Sequence, residues 1–176
     1  MLNSNKSKLV TYVLIAAWFV SIVTGLVYFQ MTQLTDFDTN KLLNEPQWFY
    51  KFKQQIKYEN NQHASLVIVT DPNCGCTLQA KTHLKQLTDF SNQKGVQVIN
   101  LEQSKSLQAV IPSTPAAVVL DKKGEFVYAG PLSEGLGCAQ GSGFVETVIT
   151  NLMAGFNNEL LLNNTKGCYC TTSTQA

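Results

Sequence analysis

From Leu9 to Phe29 the chain runs without a single charge, LVTYVLIAAWFVSIVTGLVYF. A helix of that length rises about 1.5 Å per residue and spans roughly 30 Å, the thickness of a bilayer's hydrocarbon core. No polar face interrupts the run, so it does not read as one side of a helix buried in a soluble domain. A cleavable secretory signal has a shorter apolar stretch and ends in a small-x-small site, whereas this one ends in Val27-Tyr28-Phe29. An uncleaved transmembrane helix over residues 9–29 is therefore expected. Tyr12 and Tyr28 fall near its two ends, where amphipathic rings favour the headgroup level.

Lys6 and Lys8 stand just before this segment, and the first charges after it are Asp36 and Asp38. By the positive-inside rule, residues 1–8 stay cytoplasmic and everything beyond about Gln30 lies on the other side. Residues 30–44 are polar and read as a tether. Residues 45–160 are numerous enough to bury one core, and 161–176 form a tail with two cysteines. Lys+Arg 13 against Asp+Glu 12 gives a net charge of +1, with no basic stripe. Nucleic acid is thus not an expected partner. A Gly-rich phosphate loop, a serine triad and a catalytic carboxylate pair are all missing from the sequence.

The periodicities after the tether alternate between helix and strand. Glu45-Pro46 can open a helix, with Trp48, Phe52 and Ile56 on one face and Phe49 beside them. Ser65 to Val69 is a short, continuous, branched apolar run, the mark of a buried strand. Asp71-Pro72-Asn73 leads into Cys74-Gly75-Cys76, and Ala80, Leu84 and Leu87 then recur at helical spacing. Val96–Leu101 predicts a second strand and Ser104–Val110 a short helix before Pro112. Ala116–Leu120 and Glu125–Ala129 predict two strands joined by the turn Asp121-Lys122-Lys123-Gly124. Val145, Val148, Ile149, Leu152, Met153 and Phe156 mark a last amphipathic helix, from Gly143 to the Asn157-Asn158 pair.

Two local features give this order a family resemblance. One is the strand 66–69 running through Thr70-Asp71-Pro72-Asn73 into Cys74 at a helix start. The other is Ser113-Thr114-Pro115 directly before the strand Ala116–Leu120. Over residues 65–156 the chain resembles the thioredoxin superfamily. The resemblance implies an α/β, three-layer sandwich with a mixed central sheet, and a cis-proline at Pro115 opposite the cysteine turn, where it would hold an extended substrate segment. The anchor followed by an outward domain is similar to tethered thioredoxin-like proteins of bacterial envelopes. That implies a single-pass inner-membrane protein with its domain in the periplasm. The chain departs from the superfamily's Cys-x-x-Cys pair: here the turn is Cys-x-Cys.

A cysteine at a helix start meets unpaired N–H groups and the positive end of the dipole, which favours the thiolate that attacks disulfides and binds metals. Cys74 is accordingly the expected attacking thiolate, and Cys76 the expected resolving cysteine in exchange with a protein thiol or disulfide partner. Cys138, in the Gly-rich loop 133–141, can reach the turn or can be a half-cystine fixed elsewhere. Cys168-Tyr169-Cys170 repeats the Cys-x-Cys spacing, and the residues after Phe156 are numerous enough to return to the first pair, spanning about 40 Å if extended. Cys138, Cys168 and Cys170 therefore read as an internal relay or a structural disulfide.

The exchange reading needs no cofactor. A rival assigns Cys74, Cys76, Cys168 and Cys170 to one Zn or Cu(I) site, although structural zinc sites usually space their cysteines wider. A third makes the cysteines plain staples of a non-catalytic binding domain, as suits an oxidising compartment. Five cysteines leave at least one unpaired or bridging chains. His83, seven residues past Cys76, is a helix residue or a partner to a cysteine or a metal. His63 reads as loop, Asp71 as a turn-maker or a base on the neighbouring thiol, Trp48 and Phe49 as packing, and Asn163-Asn164-Thr165 as a sequon of little weight in a bacterium.

Overall fold

Two compact units divide the chain in the computed structural model, 1–33 and 34–176, and the structure describes residues 2–32, 34–59, 62–135, 143–157 and 159–171. The first unit is one continuous helix, α1 (Leu2–Thr32). Its span Ser7–Phe29 is long and apolar enough to cross a membrane. Leu9, Trp18, Phe19 and Tyr28 all project outward, each more than half exposed. Apolar side chains ring this helix on every side, as suits a solvent of lipid rather than a core-facing stripe.

The second unit begins with β1 (Thr35–Asp36), a 3-10 turn at Leu42–Asn44 and α2 (Trp48–Gln55). Then come β2 (Ser65–Thr70), α3 (Gly75–Gln93), β3 (Gln97–Glu102), α4 (Lys105–Gln108) and β4 (Ser113–Thr114). The chain closes with β5 (Ala116–Leu120), β6 (Phe126–Pro131), α5 (Phe144–Met153), β7 (Leu160–Leu161), β8 (Lys166–Gly167) and β9 (Cys170–Thr171). Five strands make a mixed sheet in the order β3-β2-β5-β6-β7. The β2–β3 pair is parallel, and β5 is antiparallel to both β2 and β6. Gly124, at φ +75°, supplies the left-handed residue that closes the β5–β6 turn.

Every residue of β5 is buried, as are five of the six in β2. This is why their sequences read as unbroken apolar runs: each strand is covered on both faces. Val67, Val69, Ala116, Val118 and Leu120 face Trp48 and Phe52 of α2 and Leu107 of α4. Leu66, Ile68, Ala117 and Val119 face Ala80 and Leu87 of α3 and Val145 and Ile149 of α5. Helices thus lie on both sides of the sheet. Trp48 is part of the first core, its indole N–H donating to the Val110 carbonyl at 2.6 Å.

The polar stretch before α2 suggests a tether, yet from residue 34 onward it lies in the second unit. Phe37 is fully buried, and Asp38, also buried, accepts hydrogen bonds from the Leu42 and Leu43 amides at 2.8 Å each. A single aromatic among polar residues leaves no periodic trace, so its burial is decided by the surface waiting for it. The tail likewise pairs into the unit: β7 runs parallel to β6, β8 antiparallel to β1 and β9 antiparallel to β4.

Candidate functional site

The turn after β2 is built by Asp71. Its side chain accepts from the Asn73 amide at 2.8 Å and its carbonyl from the Cys74 amide at 3.0 Å. The chain is thereby aimed so that Cys74, in extended conformation, occupies the N-cap position of α3. Cys74 is 2% exposed, while Cys76, in the first turn of the helix, is half-buried. The sulfur of Cys74 lies 3.7 Å from the Thr114 carbonyl oxygen, and the following Thr114–Pro115 peptide is cis. Pro115 and Cys74 are therefore neighbours, although 41 positions separate them (115 − 74).

The tail reaches the same place. Cys74 is disulfide-bonded to Cys170 and Cys76 to Cys168, with Cα–Cα distances of 5.9 and 5.5 Å. Sequence spacing alone suggested Cys76 as the resolving partner of Cys74; here the bonded partner of each is in the tail. The two Cys-x-Cys segments lie side by side, and the sulfurs of Cys74, Cys76 and Cys170 all fall within 4.8 Å of one another.

Bonds independent of sulfur hold the tail there. Tyr169, between the two cysteines, is buried and stands edge-on to Phe37 with ring centroids 5.2 Å apart. Its hydroxyl donates to the Ser133 carbonyl at 2.7 Å. The Thr35 hydroxyl donates to the carbonyls of Gly167 and Tyr169, and the Cys168 amide to that of Gly135 at 3.1 Å. A Cβ at Gly167 would sit 2.6 Å from the Tyr169 ring, so only glycine fits there. Ser113 and Thr114 pair with Thr171 and Cys170, and the Ser113 hydroxyl donates to the Phe37 carbonyl at 2.6 Å. β4 is thus occupied along its edge by the tail's own strand.

Cys138 lies outside the described residues. His83 is buried in α3 and bonds through Nε2 to Glu146 Oε1 of α5 at 2.6 Å, joining two helices rather than meeting a sulfur. Glu146 was legible only as the single charge in the otherwise uncharged α5. Nearby, Tyr128 donates its hydroxyl to the Pro131 carbonyl at 2.5 Å. Burial, and then Tyr169 and Glu146, push that hydroxyl's pKa well above the usual tyrosine range. His63 lines a shallow surface hollow beside Ala64 and Gly95, away from the cysteines.

Comparison with solved structures supports the fold. An uncharacterized conserved protein from Geobacillus kaustophilus matches with TM-score 0.50 at 13% identity, over 66% of this chain and 81% of that one. A hypothetical protein from Sinorhizobium meliloti matches with TM-score 0.50 at 12% identity, over 66% and 82%. No curated protein matches the sequence. The family model described as Domain of unknown function (DUF6436) matches residues 45–172, from the start of the sandwich to the strand that carries Cys170. The chain belongs to the DUF6436 family.

Proposed function

We propose that this chain is a thioredoxin-like thiol–disulfide exchange protein. In this reading α1 anchors it in a bacterial inner membrane, its N-terminus is cytoplasmic and its domain works in the periplasm. The observation that carries the reading is the disulfide between Cys74, at the start of α3, and Cys170, on a strand paired with the residues directly before Pro115. An extended, cysteine-bearing segment on that edge is the arrangement an exchanging partner would adopt.

The chemistry follows from the position of Cys74. In the oxidised chain a partner thiolate attacks the more exposed Cys170 sulfur, forming a mixed disulfide and expelling Cys74. Cys74 is the better leaving group because the helix end stabilises its thiolate. The partner's second thiol then attacks its own mixed disulfide, leaving Cys170 reduced and the partner oxidised. In the opposite direction, Cys74 attacks a partner disulfide and Cys170 resolves the intermediate by attacking the Cys74 sulfur. Cys76 and Cys168 form the second couple, able to pass electrons to the first across the 4.8 Å cluster.

The test uses the full chain in detergent micelles, reduced and mixed with oxidised glutathione. Cys74→Ser should slow exchange to the rate of the remaining thiols, well below the parent, while circular dichroism stays unchanged. Exchange at the parent rate in that variant would sink the proposal.

A further inference from the structure

Reduction of the two disulfides frees four sulfurs without freeing the backbone that carries them. Cys74 and Cys76 are set by α3 and the Asp71 turn. Cys168 and Cys170 are set by the burial of Tyr169 between them, its bond to Ser133, the Cys168 amide bond to Gly135 and the β4–β9 pairing. None of these contacts uses a sulfur. The reduced chain therefore keeps four thiols converging on one point, three of them already within 4.8 Å of one another and the fourth next to Cys76.

We infer that the reduced protein holds one Zn2+ on Cys74, Cys76, Cys168 and Cys170. A zinc–thiolate bond of about 2.3 Å puts tetrahedral sulfurs about 3.8 Å apart, so the cluster needs shifts of an ångström or two to close round the ion. Four thiolates crowded together repel, and a divalent cation is what relieves that repulsion. The positive end of α3 further favours the deprotonated form at its first turn. Cys74 is nearly inaccessible and Cys76, Cys168 and Cys170 are half-buried, so little water competes for the ion.

Metal and disulfides exclude each other here, because a sulfur sharing its electrons with another sulfur is no longer a thiolate. Opening both bonds takes two equivalents of a dithiol, which deliver four electrons and four protons and become two disulfides. Zinc then displaces the four thiol protons, so its affinity rises with pH. A disulfide-class oxidant reverses the sequence, taking four electrons and expelling the ion. This site goes beyond exchange and does not need it: zinc requires all four sulfurs, whereas attack on a partner requires only Cys74 and a resolving thiol.

The experiment uses the full chain in micelles with Cys138→Ser as background, reduced by a phosphine without oxygen, loaded with Zn2+ and desalted. One zinc per chain should remain, and an oxidised dithiol should release it. Co2+ in place of zinc should give the intense visible bands of a tetrahedral tetrathiolate, displaced when zinc is added. Cys168→Ser removes a ligand and should weaken zinc binding by well over about tenfold, the least that losing even a group supporting a ligand costs. A chain that retains no metal, or a pale octahedral Co2+ spectrum, overturns the site. Equal zinc content in a Cys168→Ser/Cys170→Ser variant also overturns it. The cobalt spectrum leaves all four ligands in place, so a misfolded ligand mutant cannot rescue the idea, and a normal exchange rate would not either.

Discussion

The two Cys-x-Cys segments have identical spacing and are held in opposite ways. Cys74 caps, and Cys76 rides on the first turn of, a 19-residue helix whose Ala80 and Leu87 are buried against the sheet. Cys168 lies between two strands of two residues each and Cys170 opens the second of them, and such strands are too short to hold themselves. Their position comes from one aromatic ring, several hydrogen bonds and the sulfurs themselves. The first pair is placed by local structure, and the second by what the rest of the domain offers it. A strong local element can carry chemistry unaided, whereas a weak one must borrow its geometry from long-range contacts.

Removing the cross-links tests that contrast most severely. The bonds close loops with sequence separations of 96 and 92 residues, nested one inside the other. Once either is formed, the other closes only a small ring. Chain-entropy reasoning then gives a loss of about 2 kcal/mol for one bond removed and about 7 kcal/mol for both. Urea unfolding of Cys74→Ser/Cys170→Ser, Cys76→Ser/Cys168→Ser and the fourfold variant should show this non-additivity. Two equal, additive losses would mean that the tail is not held beside α3 when one bond is gone.

A smaller effect probes the anchorage without sulfur. Ser113→Ala leaves the buried Phe37 carbonyl without its hydroxyl donor, a cost of about 1–3 kcal/mol. The loss should persist in the reduced protein, and Cys170 should then alkylate faster than in the reduced parent. Equal alkylation rates would show that β4 and Phe37 do not position the tail.

The smallest effect concerns Tyr128, on the other core, with Tyr169 among the groups that raise its pKa. Its folded pKa stands well above the ordinary value of about 10. The folded chain therefore keeps this group neutral where the unfolded chain ionises it. Its stabilising contribution is full below pH 10 and drains away as pH climbs toward the folded value. Tyr128→Phe should cost about 1 kcal/mol at neutral pH, through the lost bond to Pro131, and flatten the alkaline fall in stability. An alkaline slope as steep as the parent's would count against this assignment.

Much of the sandwich was legible in the sequence because its elements are self-consistent. The run Ser65–Val69 marks β2, Ala116–Leu120 marks β5, and the Asp121–Gly124 turn between β5 and β6 is spelled out by its residues. The places of Cys74 at the start of α3 and of Pro115 before β5 were legible for the same reason, since each stands at the junction of a strand. Phe37 and Glu146 were not, because one aromatic in a polar stretch and one carboxylate in an apolar helix carry no period. The tail strands were missed for a related reason: two residues cannot show an alternation.

By itself the sequence determined the apolar helix α1, the alternation of strands and helices after it, and a cysteine at the start of α3. These follow from repeats of two or 3.6 residues within a single segment, where neighbours in sequence are neighbours in space. Only the tertiary structure decided that Tyr169 enters the core against Phe37, that Thr114 pairs with Cys170, and that each turn cysteine is bonded to one in the tail. Such pairings join residues up to 132 positions apart (169 − 37). Between so distant segments it is complementary surface, rather than any local pattern, that selects the partner.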